Sequence, residues 1–216
     1  EVAFILQENR LGTGHAVMQA SQFLEGRAGC TLILRGDMPL VKPGTLKKML
    51  SEFQDKSCAA VIATSRKEDP TGYGRIIRDD DKQIKTIVEQ KDASAAQLDI
   101  HEVNTGLYCF NTSLLLSALG KIASRNHNNR YYLTDTISIL IQEGYSICTM
   151  NAGTDETLIV SDRISLQKAA AIVYQDQVMK HMQNGVTIED PRSTFIEEGV
   201  RIGQDTIIHP NCRLGG

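Results

Sequence analysis

The sequence has no tryptophan and no apolar run near the roughly 20 residues that a membrane-spanning helix needs. No basic-then-apolar signal segment opens it. Its net charge is only −3, so nothing in the charge balance draws it to nucleic acid or to an anionic membrane surface. No CxxC spacing occurs among its five cysteines (Cys30, Cys58, Cys109, Cys148, Cys212), an odd and scattered set. Three of them lie in strand-like runs, "CTLIL", "CAAVIAT" and "YSICTM", and read as buried reduced thiols of a cytosolic protein. The five histidines lack metal-ligand spacing, and no Ser/His/Asp or Cys/His arrangement marks a nucleophile.

What is present is ordinary for a folded domain. The 216 residues suit one medium domain, or a domain with an appendage, and are 41% apolar and 23% charged. A chain of this length can bury most of the surface that its unfolded form exposes.

Short apolar runs alternate with helix-like segments. Strands are expected at 2–6 ("VAFIL"), 31–35, 59–64, 74–79, 84–90, 102–111 and 146–151. Helices are expected at 14–24, 43–55, 93–98, 112–122, 134–143 and 162–183. Strand then helix, repeated, argues for an α/β fold with a mostly parallel, Rossmann-like sheet. "YGRIIRDDDKQIKTIVEQ" differs: two strand patterns flank an Asp-rich turn, which predicts an antiparallel hairpin. The long helix is expected to start from Ser161 as its N-cap and to stop at Asn184-Gly185. Beyond it Ile196, Ile202, Ile208 and Leu214 recur every six residues, the period of a hexapeptide parallel β-helix. Both ends look cut, a strand with nothing before it and a repeat with nothing after it, so a piece of a longer protein is expected.

Several short stretches carry polar groups at strand ends. In "LQENRLGTGHAV", Gly12 and Gly14 permit close backbone approach, and Gln7 offers one donor and one acceptor that suit a pyrimidine edge. A plain strand-to-helix turn explains the same residues. In "LILRGDMPL" a strand runs into Gly36-Asp37, where an Asp can hold Mg²⁺ or cap a turn. "DPTGYGRI" leaves the backbone at Gly74 open to a ligand, or forms a simple loop. Glu89 in "IVEQKD" and Asn104 in "EVNTGLY" supply the carboxylate and amide that sugar hydroxyl and amide groups need, though each singly suits a solvated strand end or a turn.

Taken in order, "LGTGHA", "GDMPL", "DPTGYGRI", "IVEQKDA", "NTGLY" and "YYLTD" resemble the bacterial N-acetylglucosamine-1-phosphate uridylyltransferases, two-part enzymes of UDP-N-acetylglucosamine synthesis. The resemblance runs from about Ala3 to Gly216. It implies a nucleotidyltransferase domain over 1–160, a linker helix over 161–185, and the first coils of a left-handed β-helix over 186–216. In the family that β-helix carries an acetyltransferase half and builds a homotrimer, whereas this chain alone is expected to be a monomer or weakly associated. The implied reaction joins UTP and N-acetylglucosamine-1-phosphate into UDP-N-acetylglucosamine and pyrophosphate, with Mg²⁺, in the cytoplasm. By motif, Gln7 and Gly12 read uracil and Thr13 lies beside them. Asp37 is a magnesium ligand, Gly74 faces the sugar side, and Glu89 and Asn104 hold sugar and ribose hydroxyls. Arg35 and Gly36 complete the implied substrate set.

The chain departs from the family pattern in three places. The Gly-rich loop of the type "LAAGxGTRM" and the Lys of "PKVL", which neutralise the triphosphate, are absent. Ser161, in "VSDR", stands where the family has an asparagine metal ligand, with Asp162 as a substitute. Arg35 precedes "GD" where an uncharged residue is usual. The chain as it stands is therefore expected to be inactive or nearly so. The competing expectation is a sugar-nucleotide-binding or regulatory remnant that does not catalyse.

Overall fold

The structure is a computed structural model, which describes residues 2–123 and 130–215. It divides into two compact units. The first is Glu1–Gly36 with Val41–Thr157, and the second is Asp37–Leu40 with Leu158–Gly216.

The first unit holds the strands β1 (Cys30–Ile33), β2 (Ala60–Arg66), β3 (Gly74–Arg78), β4 (Ile84–Val88), β5 (Glu102–Asn111) and β6 (Ile147–Asn151). Its helices are α1 (Thr13–Gln19), α2 (Ser21–Leu24), α3 (Pro43–Lys56), α4 (Ala95–Leu98), α5 (Thr112–Leu119) and α6 (Asp135–Gln142). The strands make one six-stranded sheet in the order β4-β3-β5-β2-β6, with β1 also paired to β5. Strands β1, β2, β3 and β6 run in one direction, the orientation expected of an α/β sheet. Strand β5 runs against them and sits between them, so its ladders to β1, β2 and β3 are antiparallel and only β2–β6 bonds in parallel. The β3–β4 hairpin is antiparallel, as its Asp-rich turn predicts, and Lys82 takes the left-handed conformation in that turn.

Ladder registers fix the shape of the site. One flank of β5 pairs with β2 along nearly its whole length, from Ala60 opposite Phe110 to Arg66 opposite Glu102. The other flank is shared: β1 covers Tyr108 to Asn111, and β3 covers Val103 and Asn104. Between those two footprints β5 has no neighbour in the sheet, and the sheet opens there. Ile62, Phe110, Leu115, Ile137 and Leu140 are fully buried below it, where α5 and α6 cover the sheet. Each such side chain contributes about 1.5–3 kcal/mol by leaving water.

Three expectations from the sequence are corrected. The run "VAFIL" is not a strand: it bonds to no strand among the described residues, and Phe4 is 95% exposed. Its apolar alternation satisfies a strand pattern, but a strand also needs a ladder partner for its backbone groups. The helix expected over 14–24 is two helices, because the Ala20 amide bonds to the Val17 carbonyl and tightens the turn. The cap of the long helix is Asp162 rather than Ser161, since the helix begins one residue later than its apolar pattern suggests.

The second unit contains that helix, α7 (Arg163–Gln183), and four two-residue strands: β7 (Thr187–Ile188), β8 (Phe195–Ile196), β9 (Ile207–Ile208) and β10 (Arg213–Leu214). The Asp162 carboxylate accepts from the Ser165 amide at 2.7 Å, and the Ser165 hydroxyl accepts from the Asp162 amide at 3.0 Å. This reciprocal capping box satisfies two donors that the first turn leaves over. Asn184 and Gly185, at φ +87°, close the helix as its sequence predicts. Strand β7 pairs in parallel with β9, and β8 with β10, with Ile196 opposite Leu214. Val178, Val186, Ile188, Ile196 and Ile208 form a small buried core, and Ile202 and Leu214 pack against it.

Candidate functional site

The opening in the sheet is a cleft of about 280 Å³ in the first unit. This is near the small end of the range for ligand clefts, roughly 300–1,000 Å³. Helix α1 supplies Thr13, Ala16 and Val17 to its wall, and the end of β1 supplies Ile33, Leu34 and Arg35. The turn into β3 supplies Gly72, Tyr73 and Gly74. Glu89 follows β4, Asn104, Gly106 and Tyr108 come from β5, and Tyr132, Leu133 and Thr134 precede α6. Ligands in open sheets bind at such breaks in strand continuity.

Glu89 is the acid of the cleft. Its Oε1 accepts from the Thr134 hydroxyl at 3.0 Å. Burial pushes its carboxyl up from the ordinary range, while the Thr134 bond and the nearby Arg35 charge pull it down. Asn104 is held at both ends of its amide. Its Oδ1 accepts from the Gly106 amide at 3.2 Å, and its Nδ2 donates to the Tyr108 hydroxyl at 2.6 Å. Gly106 sits at φ +85°, and a Cβ there would run into the Arg35 side chain, which lies across it. Tyr73, on the opposite wall, anchors its hydroxyl on the Thr157 carbonyl at 2.9 Å, and its own carbonyl accepts from the buried Arg75. An acceptor, an amide and a cation therefore face one mostly apolar hollow, a set suited to sugar hydroxyls beside a phosphate.

Thr13, Arg35, Gly74, Glu89 and Asn104, five of the residues singled out in the sequence, line this cleft together. Gln7, Gly12 and Gly36 are not among its lining residues. Gln7 instead gives its Nε2 to the Gly12 carbonyl at 3.1 Å and to His15 Nδ1 at 2.9 Å. The two glycines of "GTG" have a packing cause. Gly14 donates to the Tyr131 carbonyl at 2.8 Å, and Thr13 Oγ1 accepts from the Leu133 amide at 3.1 Å. Gly12 lies at φ +119°, with the Tyr131 backbone where a Cβ would sit. The turn is thus docked on the "YYL" backbone, and the glycines make that approach possible.

Asp37 and Ser161 belong to the second unit, where the Val160 amide donates to the Asp37 carbonyl at 2.8 Å. That bond brings the two candidate metal ligands into neighbouring strands of backbone. Asp162, the other candidate, caps α7: its Oδ1 accepts from both the amide and the hydroxyl of Ser165, each at 2.7 Å. Those bonds hold it below the usual carboxylate range. No group of three or more His, Cys, Asp or Glu side chains suited to a metal occurs among the described residues.

Tyr108, Gly106 and Thr134 are among the lining residues that the sequence does not single out, and Asp135 adjoins them. Tyr108 reads as core because it sits in an apolar strand. Thr134 and Asp135 lie in "YYLTD", whose order marks it but whose chemistry shows only once Glu89 is beside it. Asp135 is pushed up to about 6 by burial first, then by the charges of Glu89 and Asp92.

Known proteins resemble this chain in sequence and in fold. The chain is 46% identical over 214 residues to the bifunctional protein GlmU of Enterococcus faecalis, covering 99% of this chain and 47% of that protein. It is 44% identical to the GlmU of Latilactobacillus sakei, covering 99% of this chain and 46% of that one. The chain thus spans about half the length of the curated relatives it matches. Among solved structures, a putative UDP-N-acetylglucosamine pyrophosphorylase from Entamoeba histolytica shares the fold, with a TM-score of 0.65 at 14% identity, over 98% of this chain and 66% of that chain. A UDP-glucose pyrophosphorylase complexed with UDP-glucose aligns with a TM-score of 0.61 at 17% identity, over 81% of this chain and 66% of that chain. The nucleotidyl transferase family model matches residues 1–156, which take in every residue lining the cleft, and the chain belongs to that family.

Proposed function

We propose that this chain is the nucleotidyl-transferring part of an N-acetylglucosamine-1-phosphate uridylyltransferase, which makes UDP-N-acetylglucosamine and pyrophosphate from UTP and the sugar phosphate. The observation that carries this reading is the convergence of Glu89, Asn104, Gly74, Thr13 and Arg35 on one cleft. The nucleotidyl transferase match and the GlmU relatives support nucleotidyl transfer, and the sugar and the base follow from the motif resemblance of the sequence.

In the reaction a phosphate oxygen of N-acetylglucosamine-1-phosphate attacks the α-phosphorus of UTP in line, and pyrophosphate leaves. No covalent intermediate forms, so the protein's contribution is positioning and charge neutralisation. Glu89 accepts hydrogen bonds from sugar hydroxyls, and Asn104 pairs with a hydroxyl or with the acetamido group. Arg35 offsets phosphate charge. The Gln7 amide and the Gly12 carbonyl together match the O4 acceptor and N3–H donor of uracil. Their mutual bond is exchanged for the base when UTP binds. The Asp37 carboxylate and the Ser161 hydroxyl would be the protein oxygens that hold Mg²⁺, which would supply charge neutralisation for the phosphates.

The short parallel ladders after α7 fit the start of a left-handed hexapeptide β-helix. Eighteen residues, three repeats of six, separate Ile196 from its partner Leu214. The division into 1–160, 161–185 and 186–216 follows from this reading. So do a cytoplasmic location and a homotrimer of the whole protein. The sequence contains no Gly-rich triphosphate loop, so the 216 residues alone bind the sugar nucleotide but are inactive or nearly so. Loss of one preorganised donor already costs roughly 10²–10³ in rate.

Two measurements on the chain test this: calorimetry with UDP-N-acetylglucosamine, with and without Mg²⁺, and pyrophosphate release from UTP and the sugar phosphate. Binding that falls at least tenfold in Glu89→Ala is expected. Binding indifferent to both Glu89→Ala and Asn104→Ala overturns the site. Metal-indifferent binding with no turnover, even in a protein that carries the loop, favours the non-catalytic remnant.

A further inference from the structure

Strand β5 carries a deformation that accounts for the Asn104–Tyr108 bond. In the ladder with β2, Tyr108 lies opposite Ile62 and Asn104 opposite Thr64. Three residues of β5, Thr105 to Leu107, therefore face the single residue Ala63. In a regular strand two residues four apart are separated by roughly 13 Å. Here they stand opposite positions only two apart, so the separation falls to about 7 Å. The bulge is held by the Thr105 hydroxyl, which donates to the Ala63 carbonyl at 2.7 Å and accepts from the Leu107 amide at 3.3 Å. Gly106 makes the turn at φ +85°. The ladder partners Ile62 and Thr64 face the same side of the sheet, so Tyr108 and Asn104 do too, and both reach the cleft.

The Gly106 amide settles which way round the Asn104 amide stands. It can only donate, so the oxygen it meets must be Oδ1. Nδ2 then points at the Tyr108 hydroxyl, which acts as acceptor at 2.6 Å. The ring behind that hydroxyl is 3% exposed and packs against Phe110, with ring centroids 5.6 Å apart, so it is a fixed post. One Nδ2 hydrogen is thereby spent. The second Nδ2 hydrogen and the second Oδ1 lone pair remain for a ligand in the cleft.

We propose that Tyr108 is a positioning residue of the site: its buried hydroxyl locks the orientation of the Asn104 amide and so sets which sugar groups that amide can pair with. This rests on the reading of Asn104 as a sugar contact. Without the hydroxyl, the amide keeps only the Gly106 bond and rotates about its last torsion. Ordering it again on binding then costs affinity for the sugar part alone.

The test uses the 216-residue chain and its Tyr108→Phe, Asn104→Ala and double variants. Phenylalanine keeps the ring and its packing on Phe110. Calorimetry compares UDP-N-acetylglucosamine with UDP, which lacks the sugar. The expected result is a roughly three- to tenfold loss for UDP-N-acetylglucosamine in Tyr108→Phe, with UDP unchanged. Tyr108→Phe adds no further loss in the Asn104→Ala background. The side-chain NH₂ signals of Asn104 in ¹⁵N–¹H spectra should shift and exchange faster in Tyr108→Phe, with or without ligand. Equal losses for UDP and the sugar nucleotide indicate mere loosening of the fold and overturn the proposal. An undiminished loss in the Asn104→Ala background shows that the hydroxyl meets the ligand directly, and also overturns it. A wild-type chain that binds no UDP-N-acetylglucosamine sinks the reading of the site instead. In that event unmoved Asn104 signals refute the lock, and shifted signals uphold it.

Discussion

Replacing Asp135 by asparagine should stabilise the first unit at neutral pH. Asp135 opens α6, next to the Thr134 that holds Glu89. Burial and the charges of Glu89 and Asp92 raise its carboxyl from the ordinary 3.8 to about 6. A raised carboxyl means that the folded state holds the proton more tightly than the unfolded chain. Stability is then greatest below pH 4 and is lost as pH rises towards 6. The gap of roughly two pH units sets a ceiling of about 3 kcal/mol, and because the carboxyl is only half buried, solvent screening cuts this by about half. Some of that cost is offset in the native protein, since a carboxylate in a first helical turn gains about 0.3–1 kcal/mol from the helix dipole. A gain of up to about 1 kcal/mol at pH 7.5 is therefore expected for Asp135→Asn. The asparagine oxygen still accepts from the Tyr132 amide, which contributes to holding the native side chain. Urea unfolding at pH 4 and pH 7.5 reads the difference: the two proteins should unfold alike at the lower pH and separate at the higher one. A destabilised variant at pH 7.5, or a gain equal at both values, refutes the assignment of buried repulsion to this cluster.

Three further outcomes follow from the same contacts. Gly12→Ala places a methyl against the Tyr131 carbonyl at a positive φ, and should cost about 2–4 kcal/mol in urea unfolding by undocking the turn from "YYL". Thr134→Val removes a bond that favours the ionised form of Glu89, so the Glu89 carboxyl should titrate at a higher pH in ¹³C spectra. Asp162→Ala removes the capping box, so hydrogen exchange should speed at the Ser165 amide while the middle of α7 keeps its protection.

The elements were legible wherever period and punctuation agreed. Strand β5 is legible over its full extent because it is long, β-branched and aromatic and runs into an asparagine. The hairpin shows in its aspartates, and the end of α7 in Asn184-Gly185. The failures share a cause. "VAFIL" has the alternation of a strand, but only a neighbouring strand can realise it, and pairing is not a local property. Ser161 and Asp162 are both good caps, and one residue of helix onset decided between them. The interleaving of β5 among co-directional strands was likewise hidden, since segment order gives direction changes only where a tight turn shows them.

The site was legible in a different way, through the residues that deform the backbone. "NTG" reads as a ligand motif because of its asparagine, yet each of its three residues has a mechanical task. Thr105 bonds back to Ala63, Gly106 adopts a conformation closed to other residues, and Asn104 is turned towards Tyr108. The bulge they make lies in the stretch of β5 left uncovered between β1 and β3. A continuous ladder on that flank would have filled the opening with backbone and left no room for Glu89, Arg35 and Asn104 to face a common space. The motif therefore holds the sheet apart as well as offering a side chain. For the same reason Gly106→Ala should be harsher than Asn104→Ala. The first drives a methyl into Arg35 and closes the gap, whereas the second only empties part of it.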